Sequence, residues 1–456
     1  MPQGSFALDG FSESPSERAS WWGLAVLVVV GLYTYMDRQV IALQAEPIRQ
    51  QLALGDTQFG LIQGAGGALV TALVGYPIGW LADRCDRRWV LAGCLAVWSA
   101  AVALCGAATS FTALLLASAL VGAAEAGLLP IAYASIPEWF RGPRRQAANS
   151  TFVLLGRLSA GLVIAGCGWL IHAIDDWRSL LPEVLQAQPT WRLALWATAL
   201  PGVLLAPMIL TVPAIAGRRV PAARNPESPS DRVLTVLRDR GAAFAPICLG
   251  AGLLSLGAGA AGTFVPVAAA RMWGVAPIEA GRGFGAAALA GAAGALLITV
   301  VLTRTTGLDR RPGTALRVAS WAMCGAAALA PALPFASGPT LFFALYGLSL
   351  ACVMTVVMLL PTALQPLCPA PVRVRLMSIF VGGTIVVGSL GPILVGAMSD
   401  GLGGSGRGLI VSMAAVALVA HAAAAALLAR GARCCADAVA AEAAGTNRVA
   451  AVTTTL

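Results

Sequence analysis

The sequence predicts an all-α polytopic membrane protein: twelve transmembrane helices in two six-helix bundles. Three observations carry this. Of 456 residues, 58% are hydrophobic and only 11% charged, with mean hydropathy +0.79. A soluble globular protein carries about 25% charge, so the polar content here cannot clothe a water-facing surface and the solvent must be lipid. Apolar runs of about the 20 residues needed to cross a bilayer recur along the chain. The basic residues between those runs fall mostly in alternate loops, as a membrane topology demands.

Composition also excludes. The net charge of +9 would suggest nucleic acid in a soluble protein; here topology accounts for it, and no nucleic-acid partner is expected. All 30 basic residues are arginine, which rules out a phosphate-binding loop that needs a lysine and argues against ATP hydrolysis. The ten cysteines have no metal spacing. Most, such as Cys94, Cys105, Cys167 and Cys352, lie inside apolar runs and read as small hydrophobes. No metal site and no cofactor is expected.

In chain order, residues 1–20 are polar, hold Pro15 and Arg18, and are expected to be disordered and cytoplasmic. No small-residue cleavage site follows the first apolar run, so it reads as a retained span. Spans are expected at about 21–46, 57–82, 88–108, 112–134, 146–172 and 190–212, making a first bundle over about 21–212. A Pro- and Arg-rich linker over about 213–242 separates it from a second bundle over about 243–429. That bundle has spans at about 243–271, 278–303, 314–333, 338–365, 373–398 and 407–429. The Ala-rich tail, about 430–456, is expected to be loose and cytoplasmic.

One side holds Arg84, Arg87 and Arg88, then Arg141, Arg144 and Arg145, then the linker arginines, then Arg304, Arg310, Arg311, Arg373 and Arg375. The other holds only Arg49, Arg178, Arg271, Arg282 and Arg407. This bias expects a multi-pass protein of the cell membrane with both termini and the linker in the cytoplasm.

The tightest connection is Gly79-Trp-Leu-Ala-Asp83-Arg84-Cys-Asp86-Arg87-Arg88-Trp-Val-Leu91. Its charge is too dense for hydrocarbon, so it must be a short polar hairpin between two spans. The pattern resembles the loop between spans two and three of the major facilitator superfamily, with Asp86 where the family usually has glycine. Tyr35-Met36-Asp37-Arg38, Gly122-Ala-Ala-Glu125-Ala-Gly127, Glu138-Trp-Phe140, Phe264-Val-Pro266, Glu279-Ala-Gly281 and Gly388-Ser-Leu-Gly-Pro392 resemble segments of the spinster-type lysolipid transporters and of the anion:cation symporter branch. Two departures stand out. Both branches usually carry an arginine one turn before the fourth-span Gly-x-x-Glu, and here that position is Ser118. The second-half copy of the basic loop survives only as Asp309-Arg310-Arg311.

The resemblance implies alternating access, a monomer, and Gly79, Asp83, Arg84, Arg87 and Arg88 as a cytoplasmic gating loop. In it Asp83 would face the start of the eleventh span, where a helix N-terminus favours an anion. Asp83→Asn is expected to weaken transport and leave membrane insertion intact.

Chemistry should reside in charges that the bilayer rejects, at about 2.5–3.5 kcal/mol each on insertion scales. Asp37 and Arg38 fall in the first span, Glu125 in the fourth and Arg157 in the fifth. They read either as substrate-binding and coupling groups or as quiet structural pairs. Glu125 and Arg157 reach similar depth, so Arg157 is expected to replace the arginine missing at Ser118 and pair with Glu125. Tyr33, Thr34, Gln63, Asn149 and Gln365 either line a cavity or hydrogen-bond between helices. The second half carries no central charge, and His421 stands alone in the last span.

These features favour a secondary transporter, coupled to the proton, for an organic anion or an amphipathic, lysolipid-like substrate. The alternative is a transporter-shaped receptor or scaffold that binds without turnover. With no His-Glu-x-x-His, no Gly-x-Ser-x-Gly and no second intramembrane Asp motif to partner Asp37, an enzyme is not expected.

Overall fold

In a computed structural model the described residues are 16–128, 131, 135–136, 139–140, 143–213, 229–306, 313–364 and 373–454. They are almost wholly helical, and the membrane-crossing set is labelled α1 to α12. In the first half these are α1 (Glu17–Leu43), α2 (Asp56–Ala82), α3 (Arg87–Ala107), α4 (Phe111–Glu125), α5 (Pro143–Asp176) and α6 (Thr190–Leu210). In the second half they are α7 (Gly241–Trp273), α8 (Pro277–Leu302), α9 (Thr314–Phe335), α10 (Pro339–Leu360), α11 (Ile379–Gly401) and α12 (Gly406–Cys435). Ten of them are long and apolar enough to cross a membrane by length and composition.

Local signals explain where the helices start. Ser16, Asp86 and Ser110 accept hydrogen bonds from the first-turn amides of α1, α3 and α4. The helices are apolar all round, which inverts the soluble pattern. Leu73 is 75% exposed, Leu204 74%, Trp321 76% and Val419 68%. Such a belt is stable only against hydrocarbon.

One expectation is corrected. The tail beyond Arg430 continues α12 as helix to Thr454; alanine is the best helix former, and its abundance there favours helix over a loose chain. The linker expected over 213–242 is helical from Pro229, which opens the helix that becomes α7. Residues 1–15 and 214–228 of the expected termini and linker lie outside the described residues.

The halves meet where glycine lets backbones touch. A Cβ at Gly60 would strike the Pro392 carbonyl, and one at Gly396 the Asp56 carbonyl, so α2 and α11 cross without side chains between them. Gly161 and Gly285 do the same for α5 and α8. All four positions belong to the arginine-poor halves of their helices, so the halves close on each other at that end.

Candidate functional site

The sequence-picked charges sit where helices break. α1 runs Glu17–Tyr33, is interrupted by a turn at Thr34 and Tyr35, and resumes as Met36–Leu43. Asp37 and Arg38 open the second piece. α2 starts as Asp56–Leu61 and passes through a π-helical turn, Ile62–Gly66, which holds Gln63. α4 ends at Glu125, followed by a turn at Ala126–Gly127. Such irregular backbone at membrane depth is tolerated where it is buried in protein or lines a cavity.

Across these breaks Arg38 Nη2 donates to Glu125 Oε2 at 2.5 Å. The Arg38 side chain is 43% exposed and that of Glu125 18%, so the guanidinium faces open space while the carboxylate sits further in. The pair lies over the closest approach of α2 and α4: a Cβ at Gly122 would strike Gly67, and Thr71 Oγ1 donates to the Gly122 carbonyl at 2.7 Å. Gln63 Nε2 donates to the Arg38 carbonyl at 3.2 Å, so the π-turn buttresses the break in α1. Glu125 also borders a void of about 10 Å³ lined by Thr34, Leu95 and Trp98 among others, room for a single water.

Asp37 behaves differently. It is 3% exposed, and its Oδ1 has no hydrogen-bond partner among the described residues. Its place in the first turn of the Met36–Leu43 helix gives it the positive end of a helix dipole. α5 packs against the same break, with Cys167 Sγ 3.6 Å from the Met36 carbonyl.

The sequence argument pairs Glu125 with Arg157, whereas the structure gives Glu125 the neighbour Arg38. The Arg157 side chain on α5 lies outside the described residues, as do the Asn149 and Asp83 side chains and all of Gln365. Ser118, where the family carries arginine, is buried with its Oγ 3.8 Å from Cys105 Sγ. Tyr33 turns into the bundle, where its ring packs on Trp98 and its hydroxyl accepts from the Gly202 amide at 3.1 Å. His421 is 2% exposed and packs against Gly257, and neither ring nitrogen has a partner among the described residues.

A second charged cluster, which sequence reasoning missed, ties the halves together at the arginine-poor end. Arg271 at the end of α7 grips Asp56 with both terminal nitrogens, at 2.8 and 2.7 Å, and Glu46 through Nε at 2.8 Å. Asp56 is fully buried and also accepts from Ser399 Oγ at 2.7 Å. Arg49 Nε lies 3.1 Å from Asp56 Oδ1, an ion contact poorly aligned for a hydrogen bond. In return, Asp400 of α11 accepts from the Asp56 and Thr57 amides, both at 2.9 Å, and so caps α2 from the other half. Arg49 and Arg271 look like ordinary loop charges in sequence. The available signal was Gly55-Asp56-Thr57, a helix start placed directly before an apolar run.

At the arginine-rich end, the hairpin residues divide between holding the loop and facing outward. Asp86 caps α3 and accepts from Arg88 Nε and Nη2, which holds its carboxyl below the usual range. Arg88 Nη1 reaches the Leu210 and Val212 carbonyls at 3.3 Å, at the C-terminal end of α6. Arg84 stacks on Trp80, 3.7 Å from the ring centre. Gly79 has open space where a side chain would project.

The sequence profile of the Major Facilitator Superfamily matches residues 27–367. The chain belongs to that superfamily. It is therefore a multi-pass membrane transporter and not an enzyme. It is 28% identical over 426 residues to an MFS-type efflux pump of Mycolicibacterium smegmatis (strain ATCC 700084 / mc(2)155), covering 92% of this chain and 94% of that protein. It is 30% identical over 162 residues to protein spinster of Drosophila melanogaster, which is 35% of this chain and 26% of the fly protein. A crystal structure of a bacterial homologue of the human lysosomal transporter spinster superposes with a TM-score of 0.76 at 24% identity, covering 92% of this chain and 98% of that one. The spinster-type resemblance read from the motifs holds in these matches.

Proposed function

We propose that this transporter moves an amphipathic organic anion by alternating access, coupled to a proton, through the Arg38–Glu125 site. The supporting observation is a guanidinium that is 43% exposed and tied to an inner carboxylate, beside a second carboxylate buried without a partner for Oδ1. An anionic substrate competes with Glu125 for the Arg38 fork. Once released, Glu125 is a buried charge with no counter-ion, a state that costs several kcal/mol until a proton neutralises it. Substrate binding and protonation are thereby linked, and the neutralised site favours a different packing of the halves. The apolar second half supports a substrate with a greasy body behind its acidic head. The full-length relative is named an efflux pump, which supports export as the direction. The arginine-rich end is then cytoplasmic.

The test is flux into proteoliposomes under an imposed pH gradient, run with sugar acids, aromatic acids and lysophospholipids. Uptake of one class that collapses with the gradient supports the reading. Saturable binding of a ligand with no flux at any gradient would instead identify a receptor.

A further inference from the structure

The Glu279-Ala-Gly281 segment takes no part in the site above, yet it stands at the mouth of a separate cavity. Between the arginine-poor ends of α8 and α10 runs an open-sided groove of about 490 Å³, lined by Val275, Glu279, Gly283, Ala287, Phe343 and Ala344 among others. That volume is within the usual range for ligand pockets. Gly283 makes the groove possible, because a Cβ there would strike the Phe343 ring that forms its floor.

The groove faces lipid. α8 meets α5 through Gly281 and Gly285, and Gly283 is about 200° round the helix from either. The groove wall thus points away from the other half, and Ala286, Ala290 and Ala344 on it are exposed.

Glu279 lines its upper edge, and Arg282 lies on α8 beside the lining, one turn before Ala286. Glu279 is in the first turn of α8, and Arg282 follows about 4.5 Å deeper along the axis. Both are exposed, and neither pairs with another described side chain. From the bilayer centre outward, a phospholipid presents chain, phosphate and then amine. Along α8 the apolar wall of the groove, the Arg282 position beside it and the Glu279 carboxylate on its lining follow in the same order.

We propose that this groove is a binding site for phosphatidylethanolamine from the leaflet at the arginine-poor end. One acyl chain fills the channel over Phe343, the phosphate meets Arg282, and the primary ammonium donates to Glu279. The site is independent of the transported substrate.

The test is native mass spectrometry of the purified transporter exchanged into equimolar phosphatidylethanolamine and phosphatidylglycerol with matched chains. The expected result is about a tenfold preference for phosphatidylethanolamine, from one charge-assisted hydrogen bond. Glu279→Gln should bring the two lipids to parity without emptying the site. Arg282→Gln should lower retention of both, and Ala290→Trp should block both by filling the channel. Melting temperatures report whether each variant folds, and Arg282→Gln and Ala290→Trp keep the test alive if Glu279→Gln does not. Equal retention of the two lipids by the unmodified protein, or an undiminished preference in a folded Glu279→Gln variant, would overturn the site. Displacement of the lipid by octylammonium alone would reassign the groove to soluble amphipathic cations and overturn the lipid.

Discussion

Asp37 and Arg38 are neighbours in sequence with opposite surroundings. Adjacent helical side chains project about 100° apart, so one turns into the bundle and the other toward the site. Asp37 is 3% exposed with an unpartnered oxygen, and a buried carboxylate is costly to keep charged. Asp37→Asn should therefore retain or raise the melting temperature in detergent while reducing proton-driven accumulation; a lower melting temperature would show that the charge is structural. Arg38→Ala leaves Glu125 without its partner. Breaking a fully buried pair costs about 3–5 kcal/mol, but Arg38 is 43% exposed, which reduces the expected loss to about 1–3 kcal/mol. Arg38→Lys keeps the charge but loses the planar fork, so it should fold normally and transport an anion more weakly. Wild-type transport by that lysine variant would show that any cation suffices.

At the scale of helices, the site is made by interruptions and the closure by glycines. The break at Thr34–Tyr35 and the end of α4 at Glu125 bring Arg38 and Glu125 to 2.5 Å. An unbroken 3.6-residue period does not contain either break, which is why the sequence reasoning singled out these charges and paired Glu125 with Arg157, where the structure places Arg38 beside it. At the arginine-poor end, Arg271 holds fully buried Asp56 across the halves. Arg271→Ala would leave Asp56 with only the Arg49 contact and the Ser399 hydroxyl in the closed arrangement, shifting the balance toward opening by less than the roughly 3–5 kcal/mol of a fully stranded buried charge. Spin labels at Gln51 and Leu402 should then report a longer distance than in the unmodified protein, and an unchanged distance would mean that the glycine contacts suffice. In the opposite hairpin, Asp86 is held below the usual carboxylate range by Arg88. Its stabilisation is present above the unfolded value, about 3.9, and is lost as pH falls through the lower folded value. Protease protection of the hairpin should thus persist on acidification to the ordinary Asp range and disappear below it, whereas loss near neutral pH would exclude the pairing.

For the whole molecule, the membrane class and most span positions were legible because hydropathy is summed over about twenty residues, and single errors average out. Asp37, Arg38 and Glu125 were legible because each is costly in hydrocarbon. The Arg271–Asp56 closure was not, because charge at the ends of spans is tolerated and carries no such cost to reveal it. Which helices of the two halves meet is a property of rotation and tilt, and the linear pattern does not fix either. The account as a whole rests on Glu125 exchanging Arg38 for a proton when substrate arrives. The most direct measurement compares two fluxes in proteoliposomes of the Glu125→Gln variant: accumulation driven by a pH gradient, and counterflow exchange with no gradient. The account predicts that accumulation is lost while exchange survives. Accumulation at the unmodified level, with its pH dependence intact, would contradict it.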